Sequence, residues 1–289
     1  LRTFSGRGSR PDFFGHSLRG IHVGTGGPIH AVGDSEVKVL DLEGRLLRRW
    51  ATEQPGYSVA VDDGGNVYVG EIGQLERFDS EGRHVTTWRG PERLGLVTAI
   101  GFFGDYVVLA DAKDRCLRRF DREGNWVNDI GKDNNTRGFL IPNGVLDFCV
   151  DAEGIIHACN PAKHRIERYS LNGKLLDFFG RFGTKAPEDF PGCCNPTNLT
   201  LGPQGQVIVT QKAGPLVKVY DGEHHLKAVI GPEPFDVTCQ NMDVACDAEG
   251  RIYVVDTARL TICVFAPTTE ASPEEAILPS PTAQGAPNS

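Results

Sequence analysis

The chain has 289 residues, 39% of them hydrophobic, and a formal net charge of −8. That is enough apolar material for a buried core, and the acidic balance argues against a nucleic-acid surface. No apolar run reaches the ~20 residues that a membrane-spanning helix needs, while 35 glycines and 18 prolines suit a turn-rich β protein.

In chain order, Leu1-Arg2-Thr3-Phe4 reads as the last strand of a repeat, as Leu175-Leu176-Asp177-Phe178 does later. The text that follows agrees. Phe4-Ser5-Gly6-Arg7 before Asp12-Phe13-Phe14-Gly15 parallels Phe179-Gly180-Arg181 before Asp189-Phe190-Pro191-Gly192. Six copies of one pattern then run to Pro267. Their turn glycines are Gly27, Gly65, Gly104, Gly154, Gly205 and Gly250. The clearest copy sets an Asp-x-x-Gly turn, Asp151-Ala152-Glu153-Gly154, before the strand Ile155-Ile156-His157-Ala158. Arg165-Ile166-Glu167-Arg168-Tyr169 then alternates with the period of a half-buried strand, and Asn172-Gly173 suits a hairpin turn. Equivalent strands are expected at 28–32 and 36–40, 66–69 and 74–78, 105–110 and 116–120, and from Ile155, Gln206 and Arg251. A second hairpin turn follows at Glu43-Gly44, Glu81-Gly82, Glu123-Gly124, Asn172-Gly173 and Asp221-Gly222.

A repeat of roughly 40–50 residues holding four strands is the mark of a propeller blade. The sixth copy stops after Ile262-Cys263-Val264-Phe265 and lacks a fourth strand. The first strand of the chain fills that gap. The reading is therefore an all-β, six-bladed β-propeller over residues 1–267, closed by its N-terminal strand, with no free sheet edge left between the ends.

The copies resemble NHL repeats. Tyr57-Ser58-Val59-Ala60-Val61-Asp62-Asp63-Gly64-Gly65-Asn66-Val67-Tyr68-Val69 is similar to the family pattern, as are Asp247-Ala248-Glu249-Gly250-Arg251-Ile252-Tyr253-Val254-Val255-Asp256 and Lys163-His164-Arg165-Ile166. The resemblance covers about residues 1–266. It implies the propeller fold, and it leaves function open among peptide-binding scaffolds, sensor domains, lactonases and an amidating lyase.

Residues 268–289 are rich in Pro, Ser, Ala and Glu and are expected to be disordered alone. They stand either as a plain tail or as a docking arm for a protein partner, anchored by Ile277-Leu278. The compartment is open. The chain starts at Leu1, so a periplasmic or extracytoplasmic protein with its signal removed and a cytoplasmic one both fit, and eight cysteines suit disulfides or thiolate ligands alike.

Eleven residues before each turn glycine lies the approach to a blade's innermost strand: His16, Gln54, Arg93, Asn143, Cys194 and Cys239. The loop after the second strand shares that face and offers Asp34, Glu71, Asp111, Cys159-Asn160, Gln211-Lys212 and Asp256. Cys194, Cys239 and His16 thus hold equivalent places on neighbouring blades, with Cys193 and Cys159 beside them; counting from Phe-x-Gly pairs His16 with Cys193 instead. Cys, Cys, Cys and His at a channel mouth are ligands for a soft metal or an iron–sulfur cluster. The competing readings are a vicinal Cys193-Cys194 disulfide, a Cys194–Cys239 bridge, or free thiols. Cys116, Cys149, Cys246 and Cys263 are expected in the core.

The aspartates and Glu71 stand either as an acidic ring for a hard cation or as acceptors for loop amides. Arg48-Arg49 and Arg118-Arg119 read as solvated or blade-edge pairs, and His224-His225 as a solvated turn. Gly24-Thr25-Gly26-Gly27 reads as a turn, since no helix follows to complete a phosphate loop. The function expected from the cysteine register is an accessory propeller carrying a thiolate-ligated centre, in electron transfer or redox within a larger complex. A non-catalytic scaffold or sensor and a metal-dependent hydrolase or lyase are the alternatives.

Overall fold

Each blade is punctuated by an aspartate. In seven turns, at Asp41, Asp62, Asp79, Asp121, Asp151, Asp221 and Asp247, the carboxylate Oδ1 accepts the amides two and four residues on, at 2.8–3.1 Å. The amide three residues on donates to the aspartate's own carbonyl. That third residue must adopt positive φ, which glycine does at no steric cost. It is glycine at six of the turns, for example Gly65 at φ 79° and Gly124 at φ 89°.

Two turns depart from expectation. In the Asp221 turn the left-handed residue is His224 (φ 66°), two places beyond Gly222, and its ring stacks on Phe179 at 4.1 Å rather than lying in solvent. In the first blade Gly26, not Gly27, takes positive φ. The strands also start about one residue later than the pattern suggests, as in Val67–Gly70 and Ile156–Asn160. The residue after the glycine belongs to the aspartate turn and not to the ladder.

The computed structural model describes residues 1–267 apart from Thr25, Pro91, Glu92, residues 134–136 and Ala213. The expected tail and its Ile277-Leu278 anchor lie outside the described residues. Six antiparallel four-stranded sheets form the molecule. Their innermost strands are Gly20–Val23, Ser58–Val61, Val97–Phe103, Phe148–Val150, Asn198–Leu201 and Val244–Cys246, and each touches the next around a closed ring. The sixth sheet is completed by Arg2–Ser5, paired Thr3 to Cys263 and Phe4 to Ile262 on the Thr261–Phe265 strand. Ring closure by the N-terminal strand is thus observed, one residue beyond the expected stretch.

Burial explains why the ring holds. Apolar residues of adjacent blades mesh in clusters, such as Phe14, Ile29, Tyr253 and Ile262 between the sixth blade and the first. The parallel between the two Phe-rich loops is structural as well. Phe14 and Phe190 are each fully buried, with the ammonium of Lys38 or Lys218 over the ring at 5.0 and 4.6 Å. Arg118 is a correction. It is buried rather than solvated, because it meets the buried Asp111 at 3.2 Å and also Asp114.

Candidate functional site: the mouth of the channel

The ring leaves a channel, and one sequence position stitches its rim. Seven residues before the turn glycines stand Gly20, Ser58, Val97, Asp147, Asn198 and Asp243. A bulge after Val97 hands the third place to Thr98. Ser58 Oγ donates to Val97 O (3.1 Å) and Thr98 Oγ1 to Leu146 O (2.6 Å). Asp147 Oδ2 accepts from Leu199 N (2.9 Å), and Asp243 Oδ2 from Ile21 N (2.8 Å). Each bond reaches the next blade. At Gly20 a Cβ would come within 3.0 Å of Ser58 Cα, so the rim has no room there for a side chain.

Asp147 and Asp243 are ionisable groups in a poor place for charge. Burial raises both carboxyls, and the neighbouring Asp243 raises Asp147 further; Asp243 titrates at about 7. Asn198, buried between them, donates to both and moderates the rise. Deeper in the channel, a space of about 230 Å³ is lined by His22, Phe102, Cys149, Thr200 and Cys246. Burial, then the charge of His30, lowers His22 to about 4, so the imidazole is neutral at physiological pH. Cys149 and Cys246 are half-buried: they line the channel while packing against core clusters.

Over the mouth lies a cavity of about 560 Å³, with Arg19, Tyr57, Asn143, Asn198, Asn241 and Asp243 among its walls. Arg19 stacks on Tyr57 with Cζ 4.0 Å from the ring centre. Among the described residues its guanidinium has no carboxylate partner, and its Nη1 is buried without a hydrogen bond. Asn143 Nδ2 donates to Asn241 Oδ1 at 2.8 Å, joining the approach loops of blades four and six. The Oδ1 atoms of Asn143 and Asn198 are buried without a donor. Buried polar atoms in native proteins nearly always have partners. The cavity thus offers a cation and two acceptors for which the described residues supply no partner.

The cysteine set is arranged differently from the ligand group expected. Among the described residues no group of three or more His, Cys, Asp or Glu side chains is placed to hold a metal ion. Cys159 is buried between blades with Ile166, Phe190 and Val209, because its place in the strand turns it away from the channel. Cys239 is buried against Met242 and Phe235, and its sulfur accepts from Thr257 N at 3.3 Å. Burial raises the thiols of Cys159, Cys194 and Cys239. Cys193 is exposed, with its Sγ 2.7 Å from that of Cys194. His16 is exposed on the cavity rim, held by its amide to Asp34. No disulfide is present, and neither the vicinal bond nor the Cys194–Cys239 bridge is formed.

The strand-end acids do bind loop amides. Asp34 accepts from His16 and Ser17, Asp111 from Gly95 and Lys113, and Asp256 from Asp236, Ala258 and Arg259. These bonds tie each approach loop to the exit loop of the same blade, so both do share one face. The cysteine register identifies that face but not Arg19, Asn198 or Asp243. A count of seven from each turn glycine, instead of eleven, reaches the rim.

The comparisons agree on the fold. No protein-family model matches the chain, and no curated protein matches it. Among solved structures, a protein of unknown function from Bacteroides thetaiotaomicron VPI-5482 superposes with a TM-score of 0.69 at 14% identity, over 87% of this chain and 69% of that one. The WD40 β-propeller domain of Doa1 gives 0.62 at 15%, over 87% and 79%. Selenomethionine-substituted virginiamycin B lyase from Staphylococcus aureus gives 0.61 at 10%, over 92% and 99%. The chain is a six-bladed β-propeller. Identities this low carry the architecture alone, and the NHL resemblance remains one of sequence motifs.

Proposed function

We propose that this propeller is a non-catalytic binding module whose recognition site is the cavity over the channel mouth. The observation that carries the reading is the set of groups around this cavity that lack a partner among the described residues: the Arg19 guanidinium, and the Oδ1 atoms of Asn143 and Asn198. The matching ligand presents a carboxylate to Arg19 and N–H donors to the two amides. A peptide segment of a protein partner, with an acidic side chain or a free C-terminus, has that chemistry. The stacked Tyr57 ring restrains the guanidinium, which lowers the ordering cost of binding. An accessory role built on a thiolate-ligated centre requires Cys194, Cys239 and either Cys159 or Cys193 to converge with His16 as ligands; the peptide reading requires no rearrangement of the loops.

The test is an array of acidic and neutral peptides, with affinity for the best binders followed by fluorescence anisotropy. Arg19→Ala is expected to weaken acidic peptides by about tenfold or more, since losing a charge-assisted bond at a half-buried site costs about 1.5–3 kcal/mol. Arg83→Ala, in an exposed turn on the opposite face, is the control and should change nothing. Equal loss in the two variants, or acidic binders indifferent to Arg19, would reject the site.

A further inference from the structure

Of the eight cysteines only Cys193 is exposed, and it adjoins Cys194 in sequence and in space. Their sulfurs approach to 2.7 Å, against about 2.05 Å for a disulfide bond. The loop is pinned on both sides of the pair. Asn195 Nδ2 donates to Pro191 O (2.8 Å) and to Lys212 O (2.9 Å), and Asn195 Oδ1 accepts from Lys212 N (2.8 Å). The Lys212 ammonium lies beside Cys194 and opposes the effect of its burial. An exposed thiol, a sheltered partner in contact with it, and a cation next to that partner make the parts of an exchange centre: an attacking group, a resolving group, and a charge that favours the resolving thiolate.

We propose that Cys193-Cys194 is a dithiol exchange site for low-molecular-weight disulfides. Cys193, as the thiolate, attacks one sulfur of the external disulfide. A mixed disulfide forms, and the first small thiolate leaves and takes up the proton that Cys193 released. Cys194 then gives its proton to the medium and attacks the Cys193 sulfur. The vicinal disulfide forms, and the second small thiolate leaves and is protonated. Two protein thiols are oxidised and one external disulfide is reduced to two thiols. Lys212 acts as a positioning residue, stabilising Cys194 in the second step. The other six cysteines are buried or line the channel, so reaction is confined to this loop. The inference is independent of the peptide site.

The experiment treats the reduced full-length protein with oxidised glutathione, quenches by alkylation at intervals, and reads intact mass and peptide maps. Wild type is expected to lose two hydrogens, with Cys193 and Cys194 alone protected and no lasting adduct. Cys194→Ser should trap glutathione on Cys193, and Cys193→Ser should leave Cys194 unmodified over the same period. Lys212→Ala should form the adduct at the wild-type rate and clear it at least severalfold more slowly. Circular dichroism confirms that each variant is folded. A stable glutathione adduct on wild-type Cys193, or no reaction where an unstructured dithiol peptide is oxidised, overturns the proposal.

Discussion

One buried position in the third strand of the blades is occupied by a charged side chain in five copies: Lys38, Glu76, Arg118, Glu167 and Lys218. Four have an opposite charge or a carbonyl to meet, as Lys38 meets Glu36 at 2.6 Å and Glu167 meets Arg165. Glu76 instead meets another acid, Glu71, which is also buried. Gln74 Nε2 and Gln54 N donate to Glu71, Glu53 N donates to Glu76, and His84 lies 3.9 Å from Glu76. Burial first, and then the hydrogen bond and charge of Glu76, raise Glu71 to about 8. A carboxyl whose folded pKa is raised binds its proton more tightly when native. The native state therefore holds more protons between about pH 4.5 and 8, and stability falls as pH rises through that window. Urea midpoints should drop from pH 7 to pH 8, above the range in which His22 and His30, both lowered to about 4 by burial, act in the opposite direction. Glu71→Gln, which keeps a neutral donor toward Glu76, should reduce that slope without removing it, because Asp147 and Asp243 act in the same direction. A slope identical to wild type would show that Glu71 ionises normally.

At the scale of the element, the aspartate turn is the unit that the sequence writes most plainly. Asp-x-x-Gly specifies a carboxylate acceptor and a left-handed residue together, and this is why turns, strands and blade count were all legible. The Asp221 turn shows where legibility ends. With His224 at the left-handed place, Gly222 is a misleading signal, and only the stacking on Phe179 accounts for the imidazole. The turns also differ in weight. Asp247 is buried and holds Glu249 N, Arg251 N, Arg251 Nε and the Tyr253 hydroxyl, the last at 2.9 Å. Asp41 makes the same backbone bonds near the surface. Asp247→Ala should cost about 2–4 kcal/mol, since a buried hydroxyl and two amides lose their acceptor, and Asp41→Ala clearly less. Chemical denaturation of the two variants measures the difference; equal losses would mean that burial does not set the weight of the turn. The mouth was less legible for a related reason. Asn198 and Asp243 share a repeat position whose residue type changes from blade to blade, Arg19 lies beside it, and only closure of the ring brings the three to one cavity. The cysteine register placed the approach loops on the right face but said nothing of which way each sulfur points. In Cys159 and Cys239 it points into the core.

At the scale of the whole molecule, the ring depends on a contact between residues about 260 apart in sequence. Arg2–Ser5 supplies the outer strand of the sixth blade, and Phe4 packs against the cluster that joins that blade to the first. The strand is four residues long, and its burial is modest beside that of the inner strands. Its effect lies in what it covers: without it, Thr261–Phe265 becomes a free edge of Ile, Cys, Val and Phe with an unpaired row of backbone donors and acceptors. Such an edge is a template for another chain. It also shifts the burden of holding blades six and one together onto Phe14, Leu18 and Ile21. Removing residues 1–5 should therefore have two separable results. Thermal stability should fall by several degrees, because about four ladder bonds and the Phe4 contact are lost from a core that otherwise remains. Self-association should rise with concentration, read by light scattering, and a lysine placed at Ile262 or Val264 would be the wrong remedy because both side chains are buried. Thr261→Lys, at a half-buried rim position of the same strand, should instead suppress the association of the truncated chain while leaving its melting temperature low. If the truncated protein stays monomeric at high concentration, the edge is protected by something other than the first strand.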